Sequence, residues 1–491
     1  MMNVYANRKL YNFLYVLIIP VIYFLVVVLN KLQLEKYFLM LSVVSLVMLL
    51  VFIVSKKKTF LYGLLFATLA FNIEYPIIAE GLGFGGTHVG GLRAAVVVNH
   101  FQLIIFTILA WTYIAKPEKP TIEKQNDSFM MTVLWIFFFG TALLSTFLSE
   151  NTFASLYVLL RYICLFFLAF ILIRNRLTLN LTYMIYGLMV LIPVEMVISL
   201  IQFVTDSYAG FRILGESYEP FRATSLIDES EKGVSGTLSH PGIMGLFLSL
   251  TIPLQMYFFL SDRKYAFKKM RFILFLLTMV LIILTASRTS LFITLFAIGM
   301  LFLFHVIGQK RFKKSSVLIV LFSIIPVSGI FFYALSKLGI VERFLNSDFI
   351  YQIFYRSDLN VMALSIFGES AKNMIFGTGL NAYTDVISSR GTGFAYEHPV
   401  HNFFLLMLVE GGILHFLSIA IFFVYIIAIL INSIRLGKQR LLAFTLFVTI
   451  GISFIYCMFG WAMYHNQNMY FMTIILILAY QLRYDEGEQN E

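Results

Sequence analysis

Charge is scarce in this chain. Of its 491 residues only 13% are Asp, Glu, Lys or Arg, while 60% are hydrophobic; a soluble domain carries about 25% charged residues. A water-facing surface cannot be built from that composition, which excludes a soluble enzyme or binding module. Cysteine is scarcer still. Cys164 and Cys457 are the two present, each inside an apolar run, without the spacing of a zinc site or a disulfide framework. No run shows the ten-residue alternation of a barrel strand, and no repeat of 20–50 residues is visible. A paired-carboxylate motif for a metal-bound sugar nucleotide is missing from the connections richest in basic residues, which argues against a cytoplasmic nucleotide-sugar transferase. The first apolar run lacks a small-residue cleavage site behind it and is expected to remain as a span.

Long apolar runs are what the chain does have. Stretches able to cross about 30 Å of hydrocarbon fall near residues 11–30, 37–54, 60–79, 94–115, 129–148, 153–173, 181–204, 239–260, 271–286, 289–307, 316–336, 402–431, 440–460 and 466–482. The shortest, the ninth and the last, are the weakest spans. Only helices or closed barrels satisfy their backbone in lipid, so the expected fold is an all-α polytopic membrane protein. It would form a single transmembrane domain over 1–491 with about 14 spanning helices, or 12–14 if the weakest runs fail.

The net charge of +10 comes in short clusters between apolar runs, which orient a membrane protein and build no stripe for nucleic acid. Most of the 36 Lys and Arg fall on alternate connections, among them Arg8, Lys9, Lys56, Lys57, Lys58, Arg174, Arg263, Arg271, Lys310 and Arg435. That bias predicts a cytoplasmic location for both termini. It also places the two long hydrophilic segments, 205–238 and 337–401, on the outer face as extracytoplasmic loops. Both carry aromatics, glycines and spaced arginines, which predicts short helices lying over the bundle. Residues 80–93 form a smaller, glycine-rich outer loop.

Candidate chemistry gathers on that outer side. His398 and His401 end the second long loop just before an apolar helix. Pro399 keeps His398 out of helical geometry and leaves His401 near the first turn. An imidazole where water meets hydrocarbon can serve as a general base on a membrane-borne substrate; the competing reading is a helix cap. Arg212 and Arg222 lie in the first loop, Arg356 and Arg390 in the second. Arg288 sits in T-A-S-R-T-S-L at a tight hairpin between two spans. Guanidinium forks converging on one face suit a diphosphate, whereas a lone arginine there can simply snorkel. Glu74, Glu195 and Glu410 interrupt apolar runs. Glu410 stands nine residues beyond His401, about 2.5 turns and 13 Å along a helix, on the opposite side; it reads as a structural partner of Arg161 or of a backbone group. Gly411 and Gly412 beside it permit close helix contact. A proton or ion pathway is the competing use of such carboxylates. G-T-G-L-N-A-Y at 377–383 is a turn that shapes the loop, since no strand precedes it and Ala382 replaces the third glycine of a dinucleotide fingerprint.

R-A-T-S-L-I-D-E-S-E-K-G (222–233), S-G-T-L-S-H-P-G-I-M-G (235–245), T-A-S-R-T-S-L (285–291), G-T-G-L (377–380) and H-N-F-F-L-L-M-L-V-E-G-G (401–412) together resemble the O-antigen ligase and O-antigen polymerase superfamily in their order, spacing and shared face. The matching region is 212–415. The resemblance implies a GT-C-like, metal-independent membrane glycosyltransferase without a cofactor, acting on polyprenyl-diphosphate-linked oligosaccharides in the cytoplasmic membrane of a bacterium, with other polysaccharide-synthesis proteins as candidate partners. The loop motif opening at Arg222 is more similar to chain polymerases, as are His415 and Phe292 at positions where ligases carry other residues. The implied activity is therefore polymerisation of a surface polysaccharide. His401 would be the general base and Arg288 the second catalytic group. Arg222, Arg212, Arg356 and Asn402 would bind substrate, with Glu410 and Gly412 structural. A ligase is the runner-up; a glycan flippase, an anion or ion transporter, or an adaptor subunit would use the same bundle without a base.

Overall fold

A computed structural model of the chain describes residues 58–76, 97–114, 128–175, 177–211, 214–217, 222–223, 232–261, 267–308, 348–391, 399–437 and 439–484. The expected spans near 11–30, 37–54 and 316–336, the loop at 80–93, and the candidates Arg212 and His398 lie outside these residues. The described helices are α1 (Lys58–Ala67), α2 (His100–Ile114), α3 (Ser128–Phe147), α4 (Thr152–Ile173), α5 (Leu177–Thr205), α6 (Pro241–Leu260), α7 (Lys268–Leu284), α8 (Arg288–Gly308), α9 (Asp348–Gly368), α10 (Ala371–Phe376), α11 (Tyr383–Ser388), α12 (Phe403–Leu436), α13 (Arg440–Phe459) and α14 (Asn466–Gln481). A 3-10 turn, Ala462–Tyr464, separates the last two. Two short antiparallel pairs complete the set: β1 (Glu74–Pro76) with β2 (Val97–Asn99), and β3 (Arg222–Ala223) with β4 (Lys232–Gly233).

Seven of the described helices, α3, α4, α5, α6, α8, α12 and α13, are long and apolar enough to cross a membrane, the architecture of a polytopic helical membrane protein. Their outward residues, such as Phe129, Ile136 and Phe147 on α3 and Leu417, Ile421 and Val424 on α12, are large, apolar and exposed. Lipid tails are the solvent such faces require. Where helices meet, small residues set the distance. A Cβ at Gly187 of α5 would stand 2.3 Å from Cβ of Phe66 on α1, and the two helices also stack Tyr62 on Tyr183.

The run at 60–79 does not continue as one helix. α1 stops at Ala67, the chain turns at 68–70, and Glu74 opens β1 opposite Asn99 instead of lying deep in a span. The interruption is stable because its polar groups are met from other elements. Asn72 N donates to Leu214 O, and Gln467 Nε2 donates to Phe71 O and to Asn72 Oδ1. The run at 94–115 is shortened in the same way, its helix starting only at His100.

α14 is the centre of the bundle. It has 16 residues and nearly all are buried, so it needs neither the length nor the uniform apolarity of a lipid-facing span. Its polar start is used inward: Asn466 Nδ2 donates to Tyr157 Oη, and Asn468 Nδ2 to Ala462 O.

Candidate active site at one end of the bundle

The end of the bundle that holds the starts of α6, α8 and α12 and the finish of α13 is where the sequence motifs meet. The link from α7 to α8 is only a turn, with Ala286 at φ +53°. Ser287 and Ser290 hydroxyls lie 2.7 Å apart across it, and Arg288 is the first residue of α8, half-buried. α6 packs tightly on this turn through glycine: a Cβ at Gly245 would stand 2.4 Å from Ser290 Oγ and 3.1 Å from Ser287 Cβ. Ser249 Oγ adds a hydrogen bond to Ser290 O at 3.1 Å.

The β3–β4 pair is attached to the same turn. Val234 N donates to Leu284 O at 3.1 Å, and Gly233 lies so close to Thr285 O that a Cβ would come within 2.3 Å. Arg222 pairs with Gly233 across the strands. Its backbone therefore runs about 5 Å, one strand spacing, from a segment that touches the Arg288 turn.

α6 begins at a histidine that the sequence reading passed over. His240 is the N-cap: its Nδ1 accepts from Gly242 N at 3.0 Å, and Pro241 follows at the first helical position. The available signal was H-P directly before an apolar run, the N-terminal placement in which proline's missing N–H costs nothing. Tyr456 of α13 donates its hydroxyl to Gly242 O at 2.9 Å. The His240 and Trp461 rings lie 6.2 Å apart.

α12 starts beside them. Phe403 N donates to Gly460 O at 3.2 Å, which fixes the start of α12 to the end of α13. Asn402 is the N-cap, its Oδ1 accepting from Leu405 N at 3.1 Å; the side chain expected to bind substrate spends its oxygen on the helix. His401 stands one residue earlier, half-buried, after the buried Val400.

Arg356 approaches on α9, which packs against α12. At 21 residues α9 is longer than the short helices expected for the second hydrophilic segment, while α10 and α11 are short. Arg356 is half-buried, and no carboxylate among the described residues pairs with it. Burial presses its guanidinium below the usual arginine range, opposed by Tyr456, the same tyrosine that bonds the start of α6. Arg390 is placed differently: it is exposed and paired with Glu369, away from the converging helix ends.

Glu410 and Gly412 form the floor. α12 is broken at Gly412, with φ 67° and ψ 178°. The carbonyls freed by the break accept from the G-T-G-L segment, Thr378 N donating to Val409 O at 2.9 Å and Gly379 N to Glu410 O at 3.0 Å. Two glycines make the fit possible, since a Cβ at Gly377 would stand 2.1 Å from Glu410 O and one at Gly412 would stand 2.3 Å from Ile375 O. The Glu410 carboxylate accepts from Tyr464 Oη at 3.0 Å and more weakly from Tyr383 N at 3.4 Å. Arg161 Nη1 donates to Tyr464 O at 2.8 Å, its guanidinium 4.6 Å from that ring's centre. Arg161 and Glu410 are thus linked through Tyr464, about one helix start away from His401.

At the opposite end of the bundle lie Arg174, Lys268, Lys269, Arg271, Arg435, Arg440 and Arg483, at the finish or start of α4, α7, α12, α13 and α14. No protein-family model matches this chain, and no curated protein sequence matches it.

Proposed function

We propose that this chain polymerises a bacterial surface polysaccharide by transferring a glycan from polyprenyl diphosphate to the hydroxyl of an incoming lipid-linked repeat unit. The observation that carries the reading is the meeting of His401, Arg288, Arg356 and the Arg222 strand pair at one end of a membrane bundle. This is the set of groups such a transfer needs: a base and several diphosphate-binding cations. His401 takes the acceptor hydroxyl proton as the oxygen attacks the anomeric carbon. The bond from that carbon to the diphosphate breaks, and its electron pair leaves on the phosphate oxygen. Arg288, with Arg222 and Arg356 and with Arg212 from the same loop, binds the diphosphate and holds the developing charge. Direct displacement on an α-linked donor inverts the anomeric configuration.

The position of the basic residues supports an active site on the outer face of the cytoplasmic membrane with both termini inside, within a GT-C-like bundle of about 14 spans. The carboxylates that an ion path would use are occupied. Glu195 accepts from both the backbone and the hydroxyl of Thr237, and Glu410 is held as described above. That favours transfer over transport. A ligase differs from a polymerase in its acceptor, and polymerisation is preferred on the loop motif at Arg222.

The direct test is the purified chain in proteoliposomes supplied with a polyprenyl-diphosphate-linked oligosaccharide. A ladder of products one repeat apart is expected; movement of the intact lipid across the bilayer with no lengthening would replace the reading with a flippase. Orientation is checked in cells. Cys164 and Cys457 are buried, so they give little background to an impermeant thiol reagent. Ser389→Cys should label from outside and Lys269→Cys should not, since both positions are exposed and lie at opposite ends. Labelling at 269 alone would invert the arrangement.

A further inference from the structure

We infer that His240 is a second substrate-contacting imidazole, acting not as a base but as a neutral donor whose Nε2–H binds a phosphate oxygen of the lipid-linked donor. The inference rests on the polymerase reading for its substrate and adds a residue that reading does not use. The N-cap bond assigns the tautomer. Nδ1 accepts from Gly242 N at 3.0 Å, so its lone pair is engaged, and the neutral ring carries its proton on Nε2. Gaining a second proton would turn Nδ1 from acceptor to donor against the Gly242 N–H and abolish the cap. The positive end of α6 and the nearby Arg288 and Arg356 also disfavour an imidazolium. A neutral imidazole fixed at a helix start is thus available to an anion through Nε2–H alone.

Its surroundings fit a diphosphate. α6 carries His240 five residues, about 7.5 Å of helix, from the Gly245 contact with the Arg288 turn. Tyr456 ties the same helix start to the segment facing Arg356, which is half-buried without a carboxylate partner among the described residues. Trp461 gives the ring an apolar flank. His401 differs in each respect: Asn402 does the capping there, which leaves the His401 ring out of the helix's own hydrogen bonding.

Two variants separate the donor from the cap. His240→Ser keeps a capping oxygen and removes the distal donor; His240→Asn keeps the cap and restores an N–H donor. The probe is farnesyl diphosphate, titrated against the purified full chain in detergent, with the melting temperature of each variant recorded. The expected result is wild-type binding, a loss of about tenfold or more in His240→Ser at an unchanged melting temperature, and recovery to within about threefold of wild type in His240→Asn. Unchanged affinity in folded His240→Ser would overturn the assignment and leave the polymerase reading standing, as would equal loss in both variants. No binding by the wild type would overturn the diphosphate site and this inference together.

Discussion

Glycan transfer by the His401→Gln chain falls by about 10²–10⁴-fold, the range for loss of a positioned general base, while the protein remains in the membrane at its normal level and melting temperature. Stability is spared because His401 precedes the helix. The cap of α12 is Asn402 and the anchor to α13 is Phe403 N on Gly460 O, and neither uses the imidazole. Rigid placement is also the reason to assign the base here. The buried Val400 on one side and the cap on the other hold the ring in one position, as proton transfer requires. In cells the variant should accumulate lipid-linked single repeats with no ladder of longer glycan. His398→Ala, in the less constrained stretch before Pro399, should keep substantial activity. A normal ladder from folded His401→Gln would move the base elsewhere, and a ladder lost only in His398→Ala would exchange the two histidines.

The second large effect is on folding. Gly412→Ala should destabilise the chain severely, by several kcal/mol or to the point where little folded protein reaches the membrane. Its backbone conformation is one that L residues avoid at a cost of about 1–3 kcal/mol. The new Cβ would stand 2.3 Å from Ile375 O and 2.5 Å from Phe376 N. Both are backbone atoms and cannot turn aside. Retreat of that segment would break the bonds from Thr378 N and Gly379 N to the carbonyls of Val409 and Glu410, each buried group left unpaired costing about 1–3 kcal/mol more. Gly451→Ala is the control: nothing lies within 4 Å of its added Cβ, so thermal unfolding in detergent should be unchanged or slightly raised. A wild-type melting temperature for Gly412→Ala would mean that the broken helix is not required.

The break also explains why two motifs that lie far apart in the chain belong together. V-E-G-G supplies bare carbonyls inside a membrane helix, and G-T-G-L supplies the N–H groups that meet them. Sequence alone places Gly411 and Gly412 at a close helix contact and treats 377–383 as a turn. It cannot pair them, because the pairing is between backbones more than thirty residues apart and leaves no mark on residue type beyond glycine.

What the sequence determined by itself is the membrane-helical class and the segregation of basic residues. Both follow from the cost of exposing polar groups to hydrocarbon, which acts on every residue of a span and is therefore written into composition. Burial within the protein decided the rest. α14 reads as a marginal span yet is the centre of the bundle, because a helix enclosed by others need not satisfy lipid. The run at 60–79 reads as one span yet ends at Ala67, since Leu214 and Gln467 supply the hydrogen bonds that hydrocarbon would not. Arg356 and Arg390 look equivalent in the second hydrophilic segment; one faces Tyr456 and the other Glu369. Which helix end each side chain reaches depends on contacts between elements far apart in the chain, and those exist only once the bundle has packed.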